Sequence, residues 1–114
     1  MTVYNFGDVV LVQFPFTNQT DKKQRPAIVI SSPRYNVERQ DLVIMAITGR
    51  VRDPLGFAER AIVDWHNAGL LKPSTIKPII ATIERSLVRK VLGRLSDSDS
   101  TALAECIAEI IPQD

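Results

Sequence analysis

The sequence predicts a mainly β single domain spanning residues 1–114: a small, curled, mostly antiparallel barrel with one C-terminal helix packed against it. Three observations predict it. Short apolar runs at residues 9–14, 27–30, 42–48, 60–64 and 79–84 are separated by turn-forming Pro, Gly, Asn and Asp residues. Only the stretch after Ser96 carries the apolar stripe of an amphipathic helix. At 114 residues and 45% hydrophobic side chains, the chain can bury one core without metal or disulfide staples. The same elements could instead form an open α+β sandwich.

Residues 9–14 are β-branched and aromatic, end at Pro15, and lead into the loop formers Thr17-Asn18-Gln19-Thr20-Asp21. Pro26 cannot donate a ladder hydrogen bond and biases Arg25 toward an extended backbone, so it suits the first residue of the next strand. Arg25 is thus expected at a strand mouth. Ser31-Ser32-Pro33 stops that strand, and residues 34–40 have room for a turn or one short helical piece. The run 42–48, LVIMAIT, is apolar on both alternating sets, as a strand buried on two faces would be; it ends at a second mouth, Thr48-Gly49-Arg50. Asp53-Pro54 and Gly56 mark a long connection to the strand at 60–64, after which Trp65 reads as a core or interface anchor. Residues 66–74 read as a loop, Pro73 and Pro78 bracket an extended piece, and strand resumes at 79–84. Gly93 makes 85–95 a short turn plus a strand. The final helix is signalled by Ser96 with Asp99 three residues on, a capping box with a shorter acid, by the stripe Leu103, Cys106, Ile107 and Ile110, and by Pro112 at its end. Cys106 falls on the buried stripe and reads as a core cysteine.

Composition removes several function classes. One cysteine rules out an internal disulfide and a Cys-rich zinc site, the start MTVYN lacks the pattern of a secretory signal, and no apolar run approaches the roughly 20 residues that span a bilayer. A soluble, cytoplasmic protein is expected. The net charge is only +1, yet all 14 basic residues fall at or before Arg94 and five of the 13 acidic ones follow it, which leaves the body at +6. His66 is the only histidine and has no Asp or Glu pair at ligand spacing; no serine stands in a nucleophile elbow, and no phosphate-cradling glycine motif occurs. No cofactor or metal is expected.

What remains is polar chemistry at strand mouths: the loop with Asn18, Gln19, Thr20, Lys22, Lys23, Gln24 and Arg25; the corner Thr48-Gly49-Arg50; and Lys72-Pro73-Ser74. Arginine offers five donors in a fork matched to phosphate oxygens and suits charge building on phosphorus, while a threonine hydroxyl orients an oxygen without ionising. Such a pair fits metal-free cleavage of RNA by its own 2′-hydroxyl. The plain alternative is a solvated arginine and a strand-capping threonine.

The block GDVVLVQFPFTNQTDKKQRPAIVIS at residues 7–31 resembles the opening of the MazF/PemK (Kid) family of type II toxin–antitoxin endoribonucleases, G-D-[IV]-V-x-V-x-[FL]-P, a loop, then R-P-A-[LIV]-V-[LIV]-S. MAIT at 45–48, WHNAGLLKPS at 65–74 and LGRLS at 92–96 continue the likeness over nearly the whole chain. The resemblance implies a Src-homology-3-like barrel, a homodimer, and a toxin that cleaves single-stranded mRNA at short motifs without metal. Cleavage leaves a 2′,3′-cyclic phosphate and a 5′-hydroxyl and inhibits translation and growth. It implies Arg25 and Thr48 as catalytic residues. Asn18, Gln19, Thr20, Lys22, Lys23, Gln24, Arg50, Lys72 and Ser74 would hold RNA, and a cognate antitoxin would block the groove with an acidic, apolar tail. Many members carry Gly-Ser-Glu in the first loop, where this chain has TNQTDKKQ with Asp21 as the only acid; another branch uses a loop histidine and a mid-strand aspartate, and His66 matches neither. The competing readings are a CcdB-like gyrase poison on the same barrel and a degenerate member that binds RNA or antitoxin without cutting.

Overall fold

The computed structural model describes residues 2–13 and 23–112. In chain order it contains β1 (Asp8–Gln13), β2 (Gln24–Val29), α1 (Pro33–Glu38), β3 (Asp41–Thr48), β4 (Arg60–Ile62), β5 (Ser74–Glu84), a 3-10 turn (Arg85–Leu87), β6 (Val88–Arg94) and α2 (Asp97–Ile110). The strands form one antiparallel sheet in the order β4-β5-β3-β2-β1-β6, curled into a half-barrel with β4 and β6 at its edges. Register shifts between Val9 and Val10, between Leu11 and Val12, and between Met45 and Ile47 sharpen the twist that curls it.

Each strand presents alternate residues to two faces, and both faces are packed. Val9, Ile28, Met45, Ile47 and Ile76 meet Leu103 and Cys106 of α2 on one side, while Val10, Val12, Ala27, Val29, Leu42, Ile44 and Ile83 form a second cluster with Tyr4. β3 feeds both clusters, which accounts for its apolar residues on both alternating sets. Burial raises the pKa of the Cys106 thiol, in keeping with a core cysteine.

Three boundaries differ from the sequence expectation. β2 begins at Gln24, so Arg25 lies within a strand rather than at its mouth, and Pro26 is an interior residue. It is tolerated because there β2 is paired to β1 at Leu11 while the ladder to β3 starts only at Ala27. The extended piece at 74–78 and the strand at 79–84 are one strand, β5, with Pro78 between Ile76 and Ile80, inside the irregular stretch of the β3 ladder where a missing N–H breaks no regular pairing. β4 stops at Ile62, because the next two N–H groups leave the ladder for Asp99.

Asp99 explains that stop. Ser96 Oγ accepts from Asp99 N at 3.2 Å, as an N-cap should. The Asp99 carboxylate does not complete the box; it is buried and accepts from Val63 N at 3.0 Å and Asp64 N at 2.8 Å. Arg60 adds salt bridges to Glu105 at 3.0 Å and Glu109 at 3.5 Å, so α2 is tied to the β4 edge along its length. On the far side, the turn at residues 63–69 lies against β6 so closely that a Cβ on Gly93 would stand 2.5 Å from Ala68 O, and Gly69 takes φ +85°. Glu59 closes the 51–59 connection by accepting from Gly56 N at 2.7 Å and pairing Arg52 at 3.1 Å; the Gly56 N–H, aided by Arg52, holds its carboxyl below the usual range against the cost of desolvation. A depressed carboxyl stabilises the folded loop above its unfolded pKa and loses that contribution as the pH falls through its folded one. No helix among the described residues is long and apolar enough to cross a membrane.

Asp99→Ala should strip two backbone N–H groups of their acceptor and lower the unfolding free energy by about 2 kcal/mol, measured by urea denaturation.

Candidate functional site

The site follows from register. Residues directly opposite each other in an antiparallel pair point to the same face. Thr48 of β3 is opposite Thr75 of β5, and Ala46 is opposite Ala27 of β2. Continuing the latter register by two residues brings Arg25 level with Thr48. Arg25, Thr48 and Thr75 therefore form a row across three strands, and Lys77 and Ile79 follow Thr75 at alternate positions of β5, on the same face.

At Arg25, Thr48, Lys77 and Ile79 this face opens into a groove of about 990 Å3, whose lining does not include the buried Thr75. Five cations line it, Arg25, Arg50, Lys72, Lys77 and Lys90, and its described lining includes no carboxylate and no histidine. None of the five forms an ion pair among the described residues. Between the charges lies apolar surface: Leu71, Ile79 and Val91 are 96%, 56% and 46% exposed, so it is offered to a ligand rather than used in the core.

The Thr48-Gly49-Arg50 corner is built tightly. Thr48 Oγ1 accepts from Arg50 N at 3.1 Å, which leaves the hydroxyl hydrogen free to donate. A Cβ on Gly49 would stand 2.1 Å from Lys72 Cε and 2.9 Å from Nζ, so the lysine lies along bare backbone with its ammonium beside the corner. Ser74 lines the groove, but it is buried and its Oγ donates to Lys72 O at 2.9 Å; its hydroxyl shapes the turn that carries the lysine.

Of the positions singled out in the sequence, Arg25, Thr48, Arg50, Lys72 and Ser74 converge on this groove. Lys23 and Gln24 are exposed at the approach to and start of β2, outside the described lining, and Asn18, Gln19, Thr20 and Lys22 lie outside the described residues. Sequence reading missed Thr75, opposite Thr48, and Lys77 and Lys90 of the lining. Alternation along β5 could have found the first two had Pro78 not interrupted the pattern; Lys90 reaches the groove through the β6 pairing with Leu11, which leaves no local signal. His66 is exposed and packs edge-on against Trp65, with ring centroids 5.8 Å apart.

Comparison with known proteins supplies a frame for this geometry. The model of the PemK-like, MazF-like toxin of type II toxin–antitoxin systems matches residues 5–111. The chain belongs to that family. No curated protein matches it. Among solved structures it resembles an endoribonuclease in complex with its cognate antitoxin from a mycobacterial species, with TM-score 0.77 at 15% identity over 100% of this chain and 98% of that one. It also resembles Mycobacterium tuberculosis toxin MazF-mt6, with TM-score 0.74 at 25% identity over 94% and 98%. A MazE–MazF structure from Deinococcus radiodurans gives TM-score 0.77 at 17% identity over 99% and 100%. The PemK/MazF-like fold is thus kept across the full chain while most side chains have changed.

Gly49 of this PemK/MazF-like chain is outside the left-handed region, so Gly49→Ala should fold normally yet push Lys72 off the corner. A crystal structure of the variant, with its unfolding midpoint, checks both outcomes.

Proposed function

We propose that this toxin is a metal-independent, sequence-selective endoribonuclease that cleaves single-stranded RNA, chiefly mRNA, and so inhibits translation and growth. The observation that carries the reading is that Arg25 and Thr48 line one groove together with four further cations and no described acid. Such a lining attracts a polyanion and offers a divalent cation no carboxylate ligand.

The chemistry uses the nucleophile that RNA carries. The 2′-oxygen attacks the adjacent phosphorus and loses its proton; the P–O5′ bond breaks, and O5′ takes up a proton. The products are a 2′,3′-cyclic phosphate and a 5′-hydroxyl. The Arg25 guanidinium bridges the non-bridging oxygens, where charge increases in the transition state. Thr48, its oxygen held by Arg50 N, donates its hydroxyl hydrogen to a reacting oxygen. Arg50, Lys72, Lys77 and Lys90 neutralise flanking phosphates, and Leu71, Ile79 and Val91 receive base faces. The 17–24 loop adds contacts that select sequence. DNA lacks the 2′-hydroxyl and is spared.

The toxin acts as a cytoplasmic homodimer and is silenced by a cognate antitoxin whose acidic, apolar tail occupies the same groove. The solved endoribonuclease–antitoxin and MazE–MazF assemblies support that reading by fold.

Incubation with long single-stranded RNA in EDTA should give discrete cuts bearing 5′-hydroxyl ends. Arg25→Ala should slow cutting roughly 100- to 1,000-fold, and Thr48→Ala should slow cleavage more than it weakens binding. RNA of diverse sequence left intact would refute the activity, and cutting that EDTA abolishes would refute its metal independence.

A further inference from the structure

Three side-chain atoms among the described residues are buried without a hydrogen-bond partner: Asp41 Oδ1, Arg85 Nε and Thr75 Oγ1. The first two flank a charged hollow at the opposite end of β3 and β5, where each side chain keeps other contacts: Asp41 Oδ1 lies 3.6 Å from Arg39 Nε, and Arg85 Nη2 donates to Arg39 O at 3.3 Å. Thr75 is different. It is 2% exposed, and its hydroxyl has no hydrogen-bond partner.

A buried hydroxyl with no partner is a standing cost, and valine would fill the same space and favour a strand equally well. The position gives the hydroxyl a use. Thr75 has two directly opposite neighbours, Ala61 on β4, which offers no polar atom, and Thr48 on β3. Opposite residues in such a pair have Cβ atoms about 5 Å apart, within reach of a hydroxyl–hydroxyl bond after rotation about χ1. The Thr48 oxygen has two acceptor sites and one hydrogen; Arg50 N fills one acceptor site, and the other is open.

The geometry points to Thr75 as a positioning residue for RNA cleavage: in the substrate complex it donates its hydroxyl hydrogen to Thr48 Oγ1, fills the second acceptor site and fixes the Thr48 hydrogen on the reacting oxygen. Without substrate this bond is unmade. Hydrogen bonds of this kind commonly tighten only in the complex. The assignment rests on the groove being a ribonuclease site.

The test compares wild type, Thr75→Val and Thr75→Ser in single-turnover cleavage of an RNA that wild type cuts, alongside RNA binding and thermal unfolding. Thr75→Val should unfold no earlier than wild type, bind RNA within about twofold and cut about tenfold more slowly, the equivalent of one lost hydrogen bond. Thr75→Ser should recover most of the rate, and adding Thr75→Val to Thr48→Ala should cost nothing further. Overturning results are Thr75→Val cutting at the wild-type rate, serine and valine variants equally slow, or binding that falls in step with cleavage. Wild type that leaves every RNA intact would overturn the ribonuclease reading and this assignment with it.

Discussion

Side chains on a strand alternate between faces, so the register in which β3 pairs with β2 and β5 decides what shares a surface. Ile47 opposite Ile76 turns one face to the core beneath α2, and the other face carries Thr48, which lines the groove, opposite the buried Thr75. A slip of one residue would exchange the two sets and carry Ile47 and Ile76 out of the cluster they form with Leu103 and Cys106. The core is therefore what fixes the site. Every apolar pair that holds the register also holds Arg25, Thr48 and Thr75 in line.

Charge is partitioned to match. Three of the four acids of α2 are used internally: Asp99 takes the Val63 and Asp64 amides, and Glu105 and Glu109 take Arg60. The groove cations form no ion pairs among the described residues, so their field is left for a ligand. The apolar surface beside them suits a partner with both negative charge and flat or aliphatic groups, a description that covers single-stranded RNA and an acidic, apolar antitoxin tail alike.

How far the sequence could be read depended on whether a feature was local. Ser96 and Pro112 bound α2 through nearest-neighbour chemistry, and Arg25 and Thr48 stood out because turn residues crowd them on one side. Spacing makes Asp99 half of a cap, although its carboxylate accepts from the two N–H groups just past β4, some 35 residues away, a use no spacing reveals. Pro78 looked like a boundary because prolines usually are; only the irregular β3 ladder makes room for it inside β5, and that ladder is a tertiary fact. Thr75 and Lys77 were lost with that boundary. Pro26 misled in the same way, since the one-sided pairing that tolerates it cannot be seen in the order of residues.

The row across the sheet has a consequence for the order in which the chain is made. Its three members sit at positions 25, 48 and 75, each on a different strand, and β5 emerges from the ribosome long after β2. A growing chain that ends before residue 75 holds its arginine and first threonine in an unfinished sheet, without Thr75 opposite Thr48. The RNA cleavage proposed for this groove would then be withheld from fragments that stop short of β5.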